Sequence, residues 1–122
     1  MKHRLTIPIL IKTTLGAAII LVIMFTNLLS NSWMLLTDRG NFIPAESSIF
    51  SFEPYVINPG SSNYWIYGED GKHYYYFSYD RTTPYAFIAK SNSCPNFDRL
   101  NFKTWCSAQP GHAATVGQHS KQ

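Results

Sequence analysis

From Thr13 to Thr37 the chain carries no charged residue, and Ile19 to Phe25 passes without a polar one. This stretch limits the fold more than any other feature. Backbone amides inside a bilayer must bond within their own segment, and only a helix lets one segment do that alone. Read as one helix, Leu15 to Leu36 reaches about 33 Å, enough for a hydrocarbon core of about 30 Å. The sequence therefore predicts a transmembrane anchor over 15–36, preceded by a basic N-terminus over 1–14. Pro8 interrupts the earlier apolar run from Leu5 to Ile11, which reads as a leading segment rather than a second span. Ser30-Asn31-Ser32 places small residues at the spacing a signal peptidase reads, so cleavage ahead of Trp33 is the competing reading. The long leading stretch and Trp33, an aromatic residue suited to the membrane–water interface, favour retention.

Charge sets the orientation. Lys2, Arg4 and Lys12 precede the apolar core, whereas Asp38 and Arg39 follow it, so the amino end is expected in the cytoplasm. This layout predicts a single-pass protein of a bacterial inner membrane with a periplasmic C-terminal domain. Small residues at Gly16, Ala17 and Ala18 offer a surface for homodimerisation within the membrane. The formal net charge of +3 belongs to the N-terminus: of ten basic residues three lie before the span, and the seven after it face all seven acids. A balanced exported part has no basic stripe for phosphates, which argues against nucleic-acid binding.

The exported domain, 37–106, is small enough to need a staple, since chains of this size bury only about 60% of their unfolded surface. Cys94 and Cys106 are the only cysteines. In an oxidising compartment they are expected to form a disulfide, contributing about 3 kcal/mol by loop closure. Their spacing is not that of a CxxC redox motif, and without nearby histidines they make no zinc site. From Ser107 to Gln122 the residues are small and polar, and a disordered tail is expected.

Within the domain, Asn41 to Glu46 and Ser48 to Ile57 read as strands punctuated by Pro44 and Pro54, and 58–63 as a turn. Tyr64 to Glu69 and Lys72 to Phe77 flank Asp70-Gly71, a signal for a type I′ hairpin in which Glu69 opposes Lys72 and Trp65 opposes Tyr76. Tyr85 to Lys90 reads as a further strand, and Phe97 to Trp105 as a short helix or a closing strand. The fold class expected is an N-terminal transmembrane helix plus a small, mainly β domain with an antiparallel sheet of four or five strands and one disulfide.

The hairpin is aromatic on both faces. One face carries Trp65, Tyr67, Tyr74 and Tyr76; the other carries Tyr64, Ile66, His73, Tyr75 and Phe77. Half-buried hairpins alternate apolar with polar residues, so either both faces are covered or one is a platform for a partner. The second reading makes Trp65, Tyr67, Tyr74 and Tyr76 the partner-binding residues, since Tyr and Trp combine large contact area with a polar handle. His73 is the one histidine inside the predicted fold, either an ordinary edge residue or a pH-responsive group, given an unperturbed pKa of about 6.5. Glu53 is the only acid inside a predicted strand, Glu46 lying near the anchor and Glu69 at the turn, and it lacks an evident partner. With no nucleophile, phosphate-loop or metal motif in view, the reading is of a protein that is not an enzyme and needs no cofactor or metal. The function expected is to bind and modulate a membrane or periplasmic partner protein, such as a sensor, a transporter or an incoming toxin. The alternative is a glycan or cell-wall ligand module with an aromatic platform.

Overall fold

A computed structural model describes residues 6–58, 60 and 64–112. Two helices lead into a five-stranded antiparallel sheet: α1 (Thr6–Phe25), α2 (Leu28–Thr37), β1 (Glu53–Ile57), β2 (Trp65–Glu69), β3 (His73–Phe77), β4 (Tyr85–Ala89) and β5 (Gln109–Gly111). The strands lie side by side in chain order. A disulfide joins Cys94 to Cys106.

The apolar segment is divided differently from the single span predicted over Leu15 to Leu36. α1 is long and apolar enough to cross a membrane, and it accommodates Pro8 near the N-terminal end of its described span, Thr6–Phe25, where a missing N–H costs little helical bonding. Hydroxyls that would be poorly satisfied in lipid bond backward within the helix, Thr14 Oγ1 to the Leu10 carbonyl at 2.8 Å and Thr26 Oγ1 to that of Val22 at 2.6 Å. The helix then breaks at Thr26 and Asn27. Asn27 N–H donates to the Phe50 carbonyl at 2.9 Å, and its Nδ2 to that of Phe52 at 3.2 Å. One turn later Asn31 Nδ2 donates to the Ile49 and Phe52 carbonyls at 2.8 and 2.7 Å. These amides hold the start of α2 against 49–52, so α2 belongs to the folded domain, with Asn31 and Met34 buried.

The hairpin between β2 and β3 forms, but in another register. Tyr67 opposes Tyr76, Gly68 opposes Tyr75 and Glu69 opposes Tyr74, rather than Trp65 opposing Tyr76 and Glu69 opposing Lys72. The Asp70 side chain explains the shift. Its Oδ1 accepts from Lys72 N–H at 2.7 Å and His73 N–H at 2.8 Å, while Asp70 N–H donates to the His73 carbonyl at 3.0 Å. The turn is therefore centred on Gly71-Lys72, and neither residue takes the left-handed conformation that a type I′ turn demands.

Asn41 to Glu46 forms no strand. Asn41 instead ties two elements together, its Nδ2 donating to the Met34 carbonyl at 3.0 Å and its Oδ1 accepting from Trp65 N–H at 3.1 Å. Within 97–105 the only regular piece is a 3₁₀ turn at Phe102–Thr104. The last strand comes instead from the predicted tail, where β5 pairs Gly111 with Tyr85. The rest of that tail, 113–122, lies outside the described residues, as do 1–5 and most of the predicted turn over 58–63.

The sheet separates two aromatic layers. On the inner side Phe52, Trp65, Tyr75 and Tyr85 are fully buried with Met34, and Leu35, Phe42, Phe77 and Phe87 pack against them. On the outer side, Tyr55, Tyr67, Tyr74 and Tyr76 meet Phe97, Phe102 and Trp105 from the disulfide-closed segment. Both faces are thus covered with large apolar area, which gives a small domain two thin cores instead of one.

Candidate functional site

Of the four residues predicted to form one platform, the structure keeps three together. Ladder irregularities in β1 and β2 leave Tyr55 and Ile66 as extra residues, and the bulge at Ile66 turns Trp65 to the face opposite Tyr67. Trp65 is 0% exposed. Its ring packs edge-on against Phe52 and Phe77 at 5.1 and 5.6 Å, and its Nε1 donates to the Phe42 carbonyl at 3.0 Å. It is a core residue.

Tyr67, Tyr74 and Tyr76 do share the outer face. The 94–106 segment lies over the first two: Phe97 sits 5.1 Å from Tyr74, Trp105 sits 6.1 Å from Tyr67, and the Tyr67 hydroxyl accepts from Phe102 N–H at 3.1 Å. Glu69 fastens this cover, pairing with Lys90 at 2.7 Å and Arg99 at 3.2 Å. The same two cations lie over aromatic rings, Lys90 over Tyr74 and Arg99 over Tyr55, each at 4.8 Å.

Tyr76 lies at the open end of this layer. Phe102 stacks on it at 4.3 Å with rings 12° from parallel, and beside the pair runs a cleft of about 320 Å³ whose walls include Ser78, Thr83, Gln109 and Pro110. Burial holds the Tyr76 phenol above its ordinary pKa, with Tyr67 and Tyr79 adding to the effect, so it is a protonated hydroxyl near neutral pH. Among the described residues no hydrogen bond engages it. An apolar stacked wall, a phenolic donor and small polar groups make a site suited to a planar or ring-shaped apolar group with hydroxyl or amide edges. Phe102, Gln109 and Pro110 are not among the residues the sequence singles out; the aromatic content between the cysteines is a signal for Phe102 alone.

His73 sits on the inner face near the hairpin tip, its Nδ1 3.7 Å from Asp70 Oδ1 and 3.3 Å from the Tyr75 hydroxyl. Tyr75 donates to Asp70 Oδ2 at 2.7 Å. Burial acts to raise the Asp70 carboxyl, but hydrogen bonds from Lys72 N–H, the Tyr75 hydroxyl, Ser47 and His73 N–H outweigh it, and Asp70 lies below the usual carboxylate range. Burial, followed by the bond to Asp70, pushes Tyr75 well above the ordinary phenol range. This arrangement is a structural clasp at the hairpin tip. Among the described residues no three His, Cys, Asp or Glu side chains group as metal ligands do.

A second groove, of about 510 Å³, runs between α2 and β1 and is lined by Asn27, Ser30, Trp33, Met34, Pro54 and Ile57 among others. No known protein family, curated protein or solved structure matches this chain.

Proposed function

We propose that this chain is a single-pass interaction protein of a bacterial inner membrane, with its amino end in the cytoplasm and its β domain in the periplasm, where it binds and modulates a partner protein in or at the same membrane. The observation that carries the reading is the junction. Only Thr26 and Asn27 separate the spanning helix from α2, and α2 contributes Asn31 and Met34 to the buried interior. A domain tied so closely has little reach away from the bilayer, and the tether raises its effective concentration toward membrane-held partners, which lets modest affinity suffice. The same contacts support retention of the anchor. Cleavage after Ser32 would remove both asparagines that satisfy the Ile49, Phe50 and Phe52 carbonyls.

The Tyr76–Phe102 cleft is the proposed contact site, and it also supports a second reading as a glycan module, because a stacked aromatic wall flanked by Ser78, Thr83 and Gln109 suits a sugar ring. Photoreactive residues at Thr83 and Gln109 in intact cells discriminate the two. A discrete protein adduct, recovered in stoichiometric amount after membrane solubilisation, supports modulation of a partner. Retention of the protein on peptidoglycan or polysaccharide with no protein adduct supports the glycan reading.

A further inference from the structure

Lys12 lies in the second turn of α1. From there to Phe25 the helix rises only about 20 Å, against a hydrocarbon core of about 30 Å. The lysine stem lets its ammonium reach back toward the cytoplasmic interface, which recovers part of the shortfall. α1 as a whole is long enough to cross; with Lys12 held at the cytoplasmic interface, apolar surface beyond Phe25 makes up the remainder.

Such a surface follows at once. Leu29, Trp33 and Leu36 are 67%, 70% and 82% exposed and recur at the spacing that places side chains on one face of a helix. The opposite face of α2 carries the buried Asn31 and Met34. No charged residue occurs between Phe25 and Asp38, so nothing on this face resists entry into lipid. The Asn27 bonds to Phe50 and Phe52 hold the helix close to the end of the span.

We infer that the Leu29, Trp33 and Leu36 face of α2 is embedded in the outer interface of the bilayer that α1 crosses, so that lipid covers this face and the β domain stands on the membrane along α2. Trp33 sits at the depth where an indole ring is stable, its apolar body among acyl chains and its N–H among headgroups. The α2–β1 groove, with Trp33 and Ile57 in its wall, then opens at headgroup level. The inference rests on the proposal that α1 is a retained span, and the test keeps the two apart.

The full chain is reconstituted in phosphatidylethanolamine–phosphatidylglycerol nanodiscs with single nitroxides introduced by Ile19→Cys, Leu29→Cys, Leu36→Cys or Gln109→Cys, the last on the sheet edge opposite β1. Collisions with oxygen, which partitions into lipid, are compared with those of a water-soluble nickel chelate. Labels at 19, 29 and 36 are expected to favour oxygen, and the label at 109 nickel. If 29 and 36 behave like 109 while 19 stays oxygen-rich, the span stands and the embedded face is wrong. Labels at 29 and 36 shielded from both reagents would mean that protein covers the face, which also overturns the inference. A nickel-accessible label at 19 would remove the span itself. In the chain without added cysteines, lipids brominated near the glycerol should quench tryptophan emission, and Trp33→Phe should lose most of that quenching because Trp65 and Trp105 are buried. Equal quenching in the parent and Trp33→Phe chains would contradict the inference without relying on any label.

Discussion

A single methyl group is enough to test the packing at two glycines. A Cβ on Gly68 would stand 2.5 Å from Phe52 Cζ, and one on Gly111 2.0 Å from Tyr85 Cε2. Both rings are fully buried, so Gly68→Ala and Gly111→Ala are each expected to cost about 1–3 kcal/mol in denaturant unfolding. Gly71→Ala meets open space and should be neutral or stabilising by about 0.4–1 kcal/mol; a type I′ turn would give the opposite sign. Asp70 makes a prediction about pH. Its folded pKa is depressed, so its contribution is present above the unfolded value of about 3.9 and is lost as pH falls through the lower folded value. The stability gap between the parent and Asp70→Asn should therefore be level near neutrality and narrow below about pH 4. Asp70-Gly71 was legible as a turn because both residues favour one. The register was not legible, because it depends on which amides the Asp70 carboxylate captures.

At the scale of elements, α2 and the disulfide segment each cover one side of the sheet. Asn31→Ala would strip hydrogen bonds from the Ile49 and Phe52 carbonyls. A cost of about 1–3 kcal/mol is expected, whereas Leu36→Ser should leave the unfolding transition in detergent almost unchanged because Leu36 is 82% exposed. The Cys94→Ser, Cys106→Ser pair should lose about 3 kcal/mol and loosen the aromatic cover. Thermal unfolding together with hydrogen exchange at Phe102, whose amide is bonded to Tyr67, would register both effects. Replacing Tyr67 and Tyr74 with Ser is also expected to destabilise, since both rings lie beneath Phe97 and Trp105. Binding is better tested at Thr83 or Gln109, on the rim of the Tyr76–Phe102 cleft.

For the whole molecule, the close coupling of α1 and the domain, read with the proposed anchor, predicts that the mature protein keeps its amino end. Intact mass from purified membranes should correspond to a chain that still contains Asn27 and Asn31, and a mature chain beginning at Trp33 would replace the anchor with a signal peptide. A flexible insertion placed ahead of Thr26 spares the asparagine contacts while uncoupling the domain from α1. If function depends on a membrane-held partner, this insertion should weaken adduct formation at Thr83 and Gln109 without changing the domain's melting temperature. A soluble glycan ligand would leave binding intact.

What the sequence determined by itself was local or compositional: an apolar N-terminal helix, a small aromatic domain, the strand-rich runs around the hairpin, and two cysteines that pair. Each follows from neighbours along the chain, through period, turn chemistry or the absence of charge. Tertiary structure alone decided where the helix breaks, which side Trp65 faces, and that Gln109–Gly111 becomes a strand. The helix break depends on Asn27 and Asn31 reaching carbonyls at 49–52. Trp65 turns inward at a bulge whose payoff is contact with Phe42, Phe52 and Phe77. The Gln-Pro-Gly segment has no strand propensity of its own and pairs with β4 because a residue without a side chain lets the Tyr85 ring lie against the backbone. In all three cases the partner is distant in sequence, and pattern along the chain carries no information about it.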